Sequence, residues 1–357
     1  MNQPLYKTGW SMAGVQVAPV FERRKSQRRK SGSPASAPGR PFVERRTDRR
    51  RSAYIALWCL PSMFVAAAHA GDKVHFQASR AYTSAHVTLR ADISKPPGNG
   101  PFPAVVLMHG CGGWQPAVRY TMNGYADYLV GKGFVVLALD SFGPRNNGGG
   151  KVCESVPQQV DALDYRTHDA YDALNYLKTR TFVNTSSIFL MGQSNGGSVA
   201  INVAKGDAPH GKTAGEGGYR AVVAYYPWCG SFGNRRVNLA SPLLVFGGGQ
   251  DSWTPTQECQ GVRSAGAELD IKIYPEAAHS FDLDIVPQRY LGNLVGLNKV
   301  AAEDSRERMV SFFIKHTKND GWQATRPVKA ESLPSGDDGK LMNAGTESVA
   351  AGPSIYR

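Results

Sequence analysis

The chain has 357 residues, with 41 Lys or Arg against 29 Asp or Glu, and 41% of it is hydrophobic. These fractions are ordinary for a globular protein and exclude a wholly disordered chain or a coiled coil. The net charge of +12 resembles a nucleic-acid footprint, but residues 1–52 alone hold 13 basic and 3 acidic side chains, so the remainder is close to neutral and nucleic acid is not an expected partner.

Residues 1–48 are rich in Arg, Ser and Pro and carry a crude repeat, ERRKSQRRK at 22–30 and ERRTDRRR at 44–51. Such a composition buries no core and reads as a disordered basic extension. A start at Val43 would leave most of it outside the protein and give a leader of 28 residues. Residues 49–70 have the layout of a signal peptide: Arg49, Arg50 and Arg51, an apolar run at 53–68, then Ala68-His69-Ala70 as the cleavage signature. The run has 16 residues and contains Pro61, short for a bilayer span of about 20. The expectation is a periplasmic or secreted protein with no stable membrane anchor after cleavage. Residues 71–322 then form one domain, and residues 323–357, without periodicity, read as a disordered tail.

Within that domain, continuous apolar runs predict buried strands at 103–108, 134–139, 187–191, 219–226, 243–247 and 269–274. Helical spacing predicts helices at 120–132, 157–178, 199–204 and 306–316, with a further helix starting near Cys259. Uninterrupted apolar strands alternating with helices define an α/β class: a mostly parallel central sheet with helices on both faces, as in the α/β-hydrolase fold.

The chemistry falls at the strand ends. Gly192-Gln193-Ser194-Asn195-Gly196-Gly197 fits G-x-S-x-G between a strand and a helix, the context of a nucleophile elbow that lifts the Ser194 hydroxyl out of the sheet. A Gly-rich turn with a solvated serine is the plainer alternative. His109-Gly110-Cys111-Gly112-Gly113-Trp114 follows an earlier strand. Such loops aim one backbone N–H at a developing oxyanion, here that of Cys111 with Gly112 as alternative, while the second comes from the residue after the nucleophile, Asn195. His109 itself reads as a loop residue.

In this architecture the acid and then the histidine follow the serine. Asp251 ends the run Gly247-Gly248-Gly249-Gln250-Asp251 just past a strand, and His279 lies in the loop after the last strand. Asp282 and Asp284 compete for the acid role but sit on the same loop as His279, and Glu258 is a further rival. His316 falls inside a helix. His279 would take the Ser194 proton during attack on an acyl carbon while Asp251 holds its tautomer, and water would release the acyl group through the same base. Trp114, Trp228 and Trp253 flank the motif loops and are candidates for an apolar pocket or for plain packing. Arg145 would either meet a substrate carboxylate or pin its loop. No residues have metal-ligand spacing, and there is no phosphate loop or dinucleotide fingerprint, so neither metal nor cofactor is expected.

Together HGCGG, DSFGPR at 140–145, MGQSNGG, GGGQDSWTP and YPEAAHSFD resemble the dienelactone hydrolase family of α/β-hydrolases over about residues 85–316. The resemblance implies carboxylic-ester or lactone hydrolysis on a small-molecule substrate and carries the triad onto Ser194, Asp251 and His279. The family's best-known members use a cysteine nucleophile where this chain has Ser194, a choice more typical of general esterases. A polyester depolymerase or peptidase on the same triad, or a non-catalytic binding module on the scaffold, are the other readings, and oligomeric state is left open.

Removal of the leader would take Cys59 and leave Cys111, Cys153, Cys229 and Cys259. An even number in an exported chain suggests disulfides. Cys111 and Cys153 follow strand ends on one side of the sheet, and Cys229 and Cys259 follow another neighbouring pair, so the expected bonds are Cys111–Cys153 and Cys229–Cys259.

Overall fold

The computed structural model describes residues 71–79, 86–146, 151–205 and 218–318. The expected basic extension, leader and C-terminal tail lie outside the described residues. Eight strands form one sheet: β1 (Asp72–Gln77), β2 (Thr88–Ser94), β3 (Phe102–Met108), β4 (Val135–Asp140), β5 (Val183–Gln193), β6 (Val222–Tyr225), β7 (Leu243–Gly248) and β8 (Leu269–Tyr274). Their spatial order is β1-β2-β4-β3-β5-β6-β7-β8. β1 and β2 are antiparallel to each other, and β2 is antiparallel to β4. Every pairing from β4 onward is parallel.

The parallel strands are buried on both faces, which is why β4 reads VVLALD with no polar alternation until its last residue. On one face α1 (Pro116–Gly131) and α4 (Lys299–His316) bring Met122, Tyr125 and Leu129 together with Met309, Val310 and Phe313. On the other, α2 (Val156–Lys178) and α3 (Asn195–Lys205) contribute Leu174, Leu177, Val199 and Val203. No described helix is long and apolar enough to cross a membrane.

Several element limits differ from the sequence expectation for local reasons. α1 starts at Pro116 rather than residue 120, because proline is preset for the first helical position. α4 starts at Lys299 rather than residue 306; the Asn298 side chain accepts the Ala301 N–H and caps it. The helix expected at Cys259 is a single 3-10 turn, Thr256–Glu258. β1 and β2 were not expected, although Leu89, Ala91 and Ile93 of β2 alternate inward with the period of a half-buried strand.

The sheet order reverses around β3, with β4 on one side and β5 on the other. Ligands of open α/β sheets bind where that reversal opens a crevice at the carboxyl ends of the strands. The loops after β3, β5, β7 and β8 all emerge at that edge. Two disulfides brace this edge: Cys111–Cys153 ties the loop after β3 to the segment before α2, and Cys229–Cys259 ties the turn after β6 to the turn beyond Asp251. They span 42 and 30 residues, for which loop-closure entropy is worth at most about 4 kcal/mol each.

Candidate active site

Between β5 and α3 the chain turns at Ser194, whose φ of +52° places a non-glycine residue in the left-handed region. The turn presses the first residues of α3 against the end of β3. A Cβ on Gly196 would meet the carbonyl oxygens of Met108 and His109, so only glycine fits there. The Ser194 N–H donates to the Tyr225 carbonyl at 2.9 Å, fixing the turn to β6.

His279, in the loop after β8, lies with Nε2 2.9 Å from Ser194 Oγ. Its Nδ1 lies 2.7 Å from Asp251 Oδ2, so Nδ1–H donates to the carboxylate and Nε2 is left to accept the serine proton. Asp251 is held in turn: its Oδ1 accepts the backbone N–H groups of Trp253 and Thr254, each at 2.9 Å. Thr254 Oγ1 lies 2.9 Å from Asp251 Oδ2. Trp253 lies against His279, with ring centroids 5.1 Å apart.

The loop after β3 closes over Ser194. A Cβ on Gly110 would come within 3.2 Å of Ser194 Cβ, so this residue's lack of a side chain sets the approach. The next residue is Cys111, and among the described residues neither the Cys111 nor the Asn195 backbone N–H has an acceptor. The two segments are joined by Arg166 of α2, a residue that sequence reasoning did not single out. Its guanidinium donates at 2.6 Å to Asn195 Oδ1 and at 2.6 Å to the His109 carbonyl. Burial pushes its pKa down to about 10, so it stays charged at neutral pH.

His109 is a buried loop residue, not part of the serine relay. Its Nδ1–H donates to the Gly110 carbonyl at 2.7 Å. Burial first, and the neighbouring Arg166 charge second, lower its pKa from 6.5 to about 3. The unfolded chain therefore takes up this proton near 6.5 while the folded one resists it until about 3, so stability is lost as pH falls through that window. At about pH 4.5 this amounts to about 2–3 kcal/mol. His109→Asn, which can keep the bond to Gly110, is expected to remove that much of the difference in urea stability between about pH 7 and 4.5. Parallel pH profiles for the two proteins would contradict the assignment.

None of the rival carboxylates bonds to His279. Asp282 is buried and accepts hydrogen bonds from Tyr125 Oη at 2.7 Å, Gln193 Nε2 at 2.6 Å and Tyr226 Oη at 2.5 Å. Burial raises its pKa, and these three donors oppose the rise. It thereby ties the His279 loop to the residue before Ser194. Asp284 is exposed and its N–H donates to Thr121 Oγ1, while Glu258 accepts from the Gly230 N–H. His316 ends α4 beside Glu268. The Arg145 side chain is buried, donating through both terminal nitrogens to Asp169 at 2.8 Å and through Nη1 to the Ser141 carbonyl at 2.8 Å. It pins its loop and does not line the cavities at Ser194.

Two cavities open at Ser194. One of about 360 Å³ includes Cys111, His279, Leu283, Tyr290 and Val295 among its walls, with Lys151 as its one lysine or arginine among the described residues. The other, about 210 Å³, adjoins Trp228 and the start of α2. Trp253 lines both. Trp114 lines neither: a turn closed by Gly113 N–H to the Gly110 carbonyl carries it past the site, where its ring lies 5.9 Å from that of His109. The hairpin of Gln288–Tyr290 and Asn293–Val295 brings Tyr290 and Val295 to the larger cavity. The turn-forming Leu291-Gly292 pair was its only sequence signal.

The sheet order and the loops at its carboxyl edge define an α/β-hydrolase. The model of the dienelactone hydrolase family matches residues 89–317, and the chain belongs to that family of carboxylic ester hydrolases. It is 24% identical over 276 residues to a Yersinia pestis protein named "Putative carboxymethylenebutenolidase", covering 71% of this chain and 96% of that one. Acyl-coenzyme A thioesterase 1 of Mus musculus is 30% identical over 139 residues, a match to 38% of this chain and 29% of that protein. Among solved structures, a dienelactone hydrolase-like promiscuous phosphotriesterase from metagenomic libraries superposes with a TM-score of 0.52 at 19% identity, covering 70% of this chain and 99% of that one. The thermophilic esterase of Thermogutta terrifontis gives a TM-score of 0.50 at 16% identity, covering 71% and 96%. At these identities the likeness of the two structures is one of fold.

Proposed function

We propose that the protein hydrolyses neutral carboxylic esters through a Ser194–His279–Asp251 triad and an acyl-enzyme. The observation that carries this reading is the continuous hydrogen-bonded line from Ser194 Oγ through His279 to Asp251, at 2.9 and 2.7 Å. In acylation Ser194 Oγ bonds to the carbonyl carbon and its proton passes to His279 Nε2. The carbonyl oxygen gains the charge, and the N–H groups of Cys111 and Asn195 stabilise it; each such donor is worth about 3–4 kcal/mol in a serine hydrolase. The C–O bond to the alcohol breaks, and that oxygen leaves with the proton from His279. Water then repeats the sequence on the acyl-enzyme, with His279 as base. Asp251 keeps the proton on Nδ1 and stabilises the imidazolium throughout.

The Yersinia relative's name points to a lactone acid and the mouse relative's to a thioester. Neutral esters fit the site better, because among the described residues Lys151 is the only lysine or arginine lining the larger cavity and it is paired with Glu154 at 2.7 Å. Export is part of the proposal. The two disulfides suit an oxidising compartment, and the leader-like segment would take the chain there. Purified protein is expected to hydrolyse p-nitrophenyl acetate with saturation kinetics. Folded protein inactive on aryl esters across neutral and mildly alkaline pH would contradict the reading.

A further inference from the structure

We infer that the smaller cleft beside Ser194 is an acyl subsite that takes a neutral hydrocarbon chain. This rests on the hydrolase reading and adds to it which arm of the ester goes where. In the tetrahedral intermediate one substituent must place its oxygen within reach of His279 Nε2, because that oxygen leaves with the proton. His279, Ser280 and Leu283 line the larger cavity and not the smaller one. The alcohol arm therefore departs along the larger cavity. The acyl arm, which stays bonded to Ser194 Oγ, points to the other side, where Asn195, Ser198 and Thr254 meet Val156, Val160, Leu163 and Trp228.

The walls of that cleft state its chemistry. Val156, Val160 and Leu163 recur at helical spacing along the first two turns of α2, so they share one face. Val156 is 70% exposed, Val160 53% and Trp228 43%. Three large apolar side chains left open around one cleft at the reacting serine are what a hydrocarbon chain would cover. Among the described residues no Lys, Arg or His lines the cleft, so none of them would pair with a carboxylate on the acyl chain. Its volume of about 210 Å³ limits the chain to modest length.

The test compares p-nitrophenyl acetate with p-nitrophenyl hexanoate, and ethyl acetate with hexyl acetate, in wild type and in Val160→Trp, which fills the cleft from an exposed helix position. Wild type should prefer the hexanoate over the acetate by about tenfold or more in kcat/KM. Val160→Trp should reduce that preference by about the same factor and leave the ratio of hexyl to ethyl acetate unaltered. Val300→Trp, at an exposed position on α4, should change neither ratio. A terminal carboxylate, as in the p-nitrophenyl monoester of adipate, should lower kcat/KM below that of the hexanoate. A Val160→Trp effect confined to the alcohol series would reverse the arms and overturn the assignment. An unchanged acyl preference in an active enzyme would overturn the subsite alone, and faster turnover of the adipate monoester would overturn its neutral character. A wild type inactive on every ester would contradict the hydrolase reading itself.

Discussion

Ser194→Ala is expected to lower kcat by about 10⁴–10⁶-fold, the range seen when a triad member that acts as a unit with its partners is removed. The argument is geometric. Ser194 Oγ is the group held 2.9 Å from His279 Nε2, at a turn whose φ of +52° is sustained by the Gly196 contact and the Tyr225 carbonyl. Alanine leaves that turn and the Cys111 and Asn195 N–H groups in place, so folding and substrate binding should persist while the covalent step is lost. Among the described residues no thiol can replace the hydroxyl, because Cys111 and Cys153 at the same cavity are bonded to each other. A kcat within tenfold of wild type would remove Ser194 from the mechanism.

Asp251→Asn is expected to cost about 10⁴-fold in kcat. An amide can donate to His279 Nδ1, which would move the imidazole proton to Nε2 and block it as an acceptor for Ser194. Asp282→Asn should behave differently. Asp282 accepts from Tyr125, Gln193 and Tyr226 and has no bond to His279, so its loss unsettles the loop's anchoring and not the tautomer. The expected result is a stability loss of about 1–3 kcal/mol with kcat of the folded protein changed far less than by Asp251→Asn. If Asp282→Asn is the variant that loses turnover and Asp251→Asn is not, the acid has been misassigned.

The contrast between these two aspartates shows what the sequence could and could not reveal. Ser194, the loop at His109–Gly113 and Asp251 sit at strand ends where a tight turn needs particular residues in immediate succession, so their placement is written locally. The parallel sheet was legible for the same kind of reason: β3, β4 and β7 are buried on both faces and read as unbroken apolar runs. Arg166 was not legible. It lies in the middle of α2, and its two contacts reach 29 and 57 residues along the chain, so nothing in its neighbourhood marks it. Asp282 looked like a rival acid because it is near His279 in sequence, whereas its partners come from α1, β5 and the residue after β6. Trp114 was a candidate for the pocket or for plain packing because it follows the loop that closes over Ser194, and the Gly110–Gly113 turn carries the chain past the site before it. The edge strands β1 and β2 were missed because only one face of β2 is buried and β1 is largely exposed.

The most direct test of the central claim is to locate the covalent adduct of a p-nitrophenyl alkylphosphonate by peptide mapping of the inactivated protein. A phosphonate mimics the tetrahedral acyl intermediate and stays bonded to the attacking atom. The account predicts one adduct per chain, on Ser194, appearing in step with loss of ester hydrolysis and prevented by substrate. Activity that resists the phosphonate but yields to a thiol reagent, or inactivation with the adduct on any other residue, would contradict it.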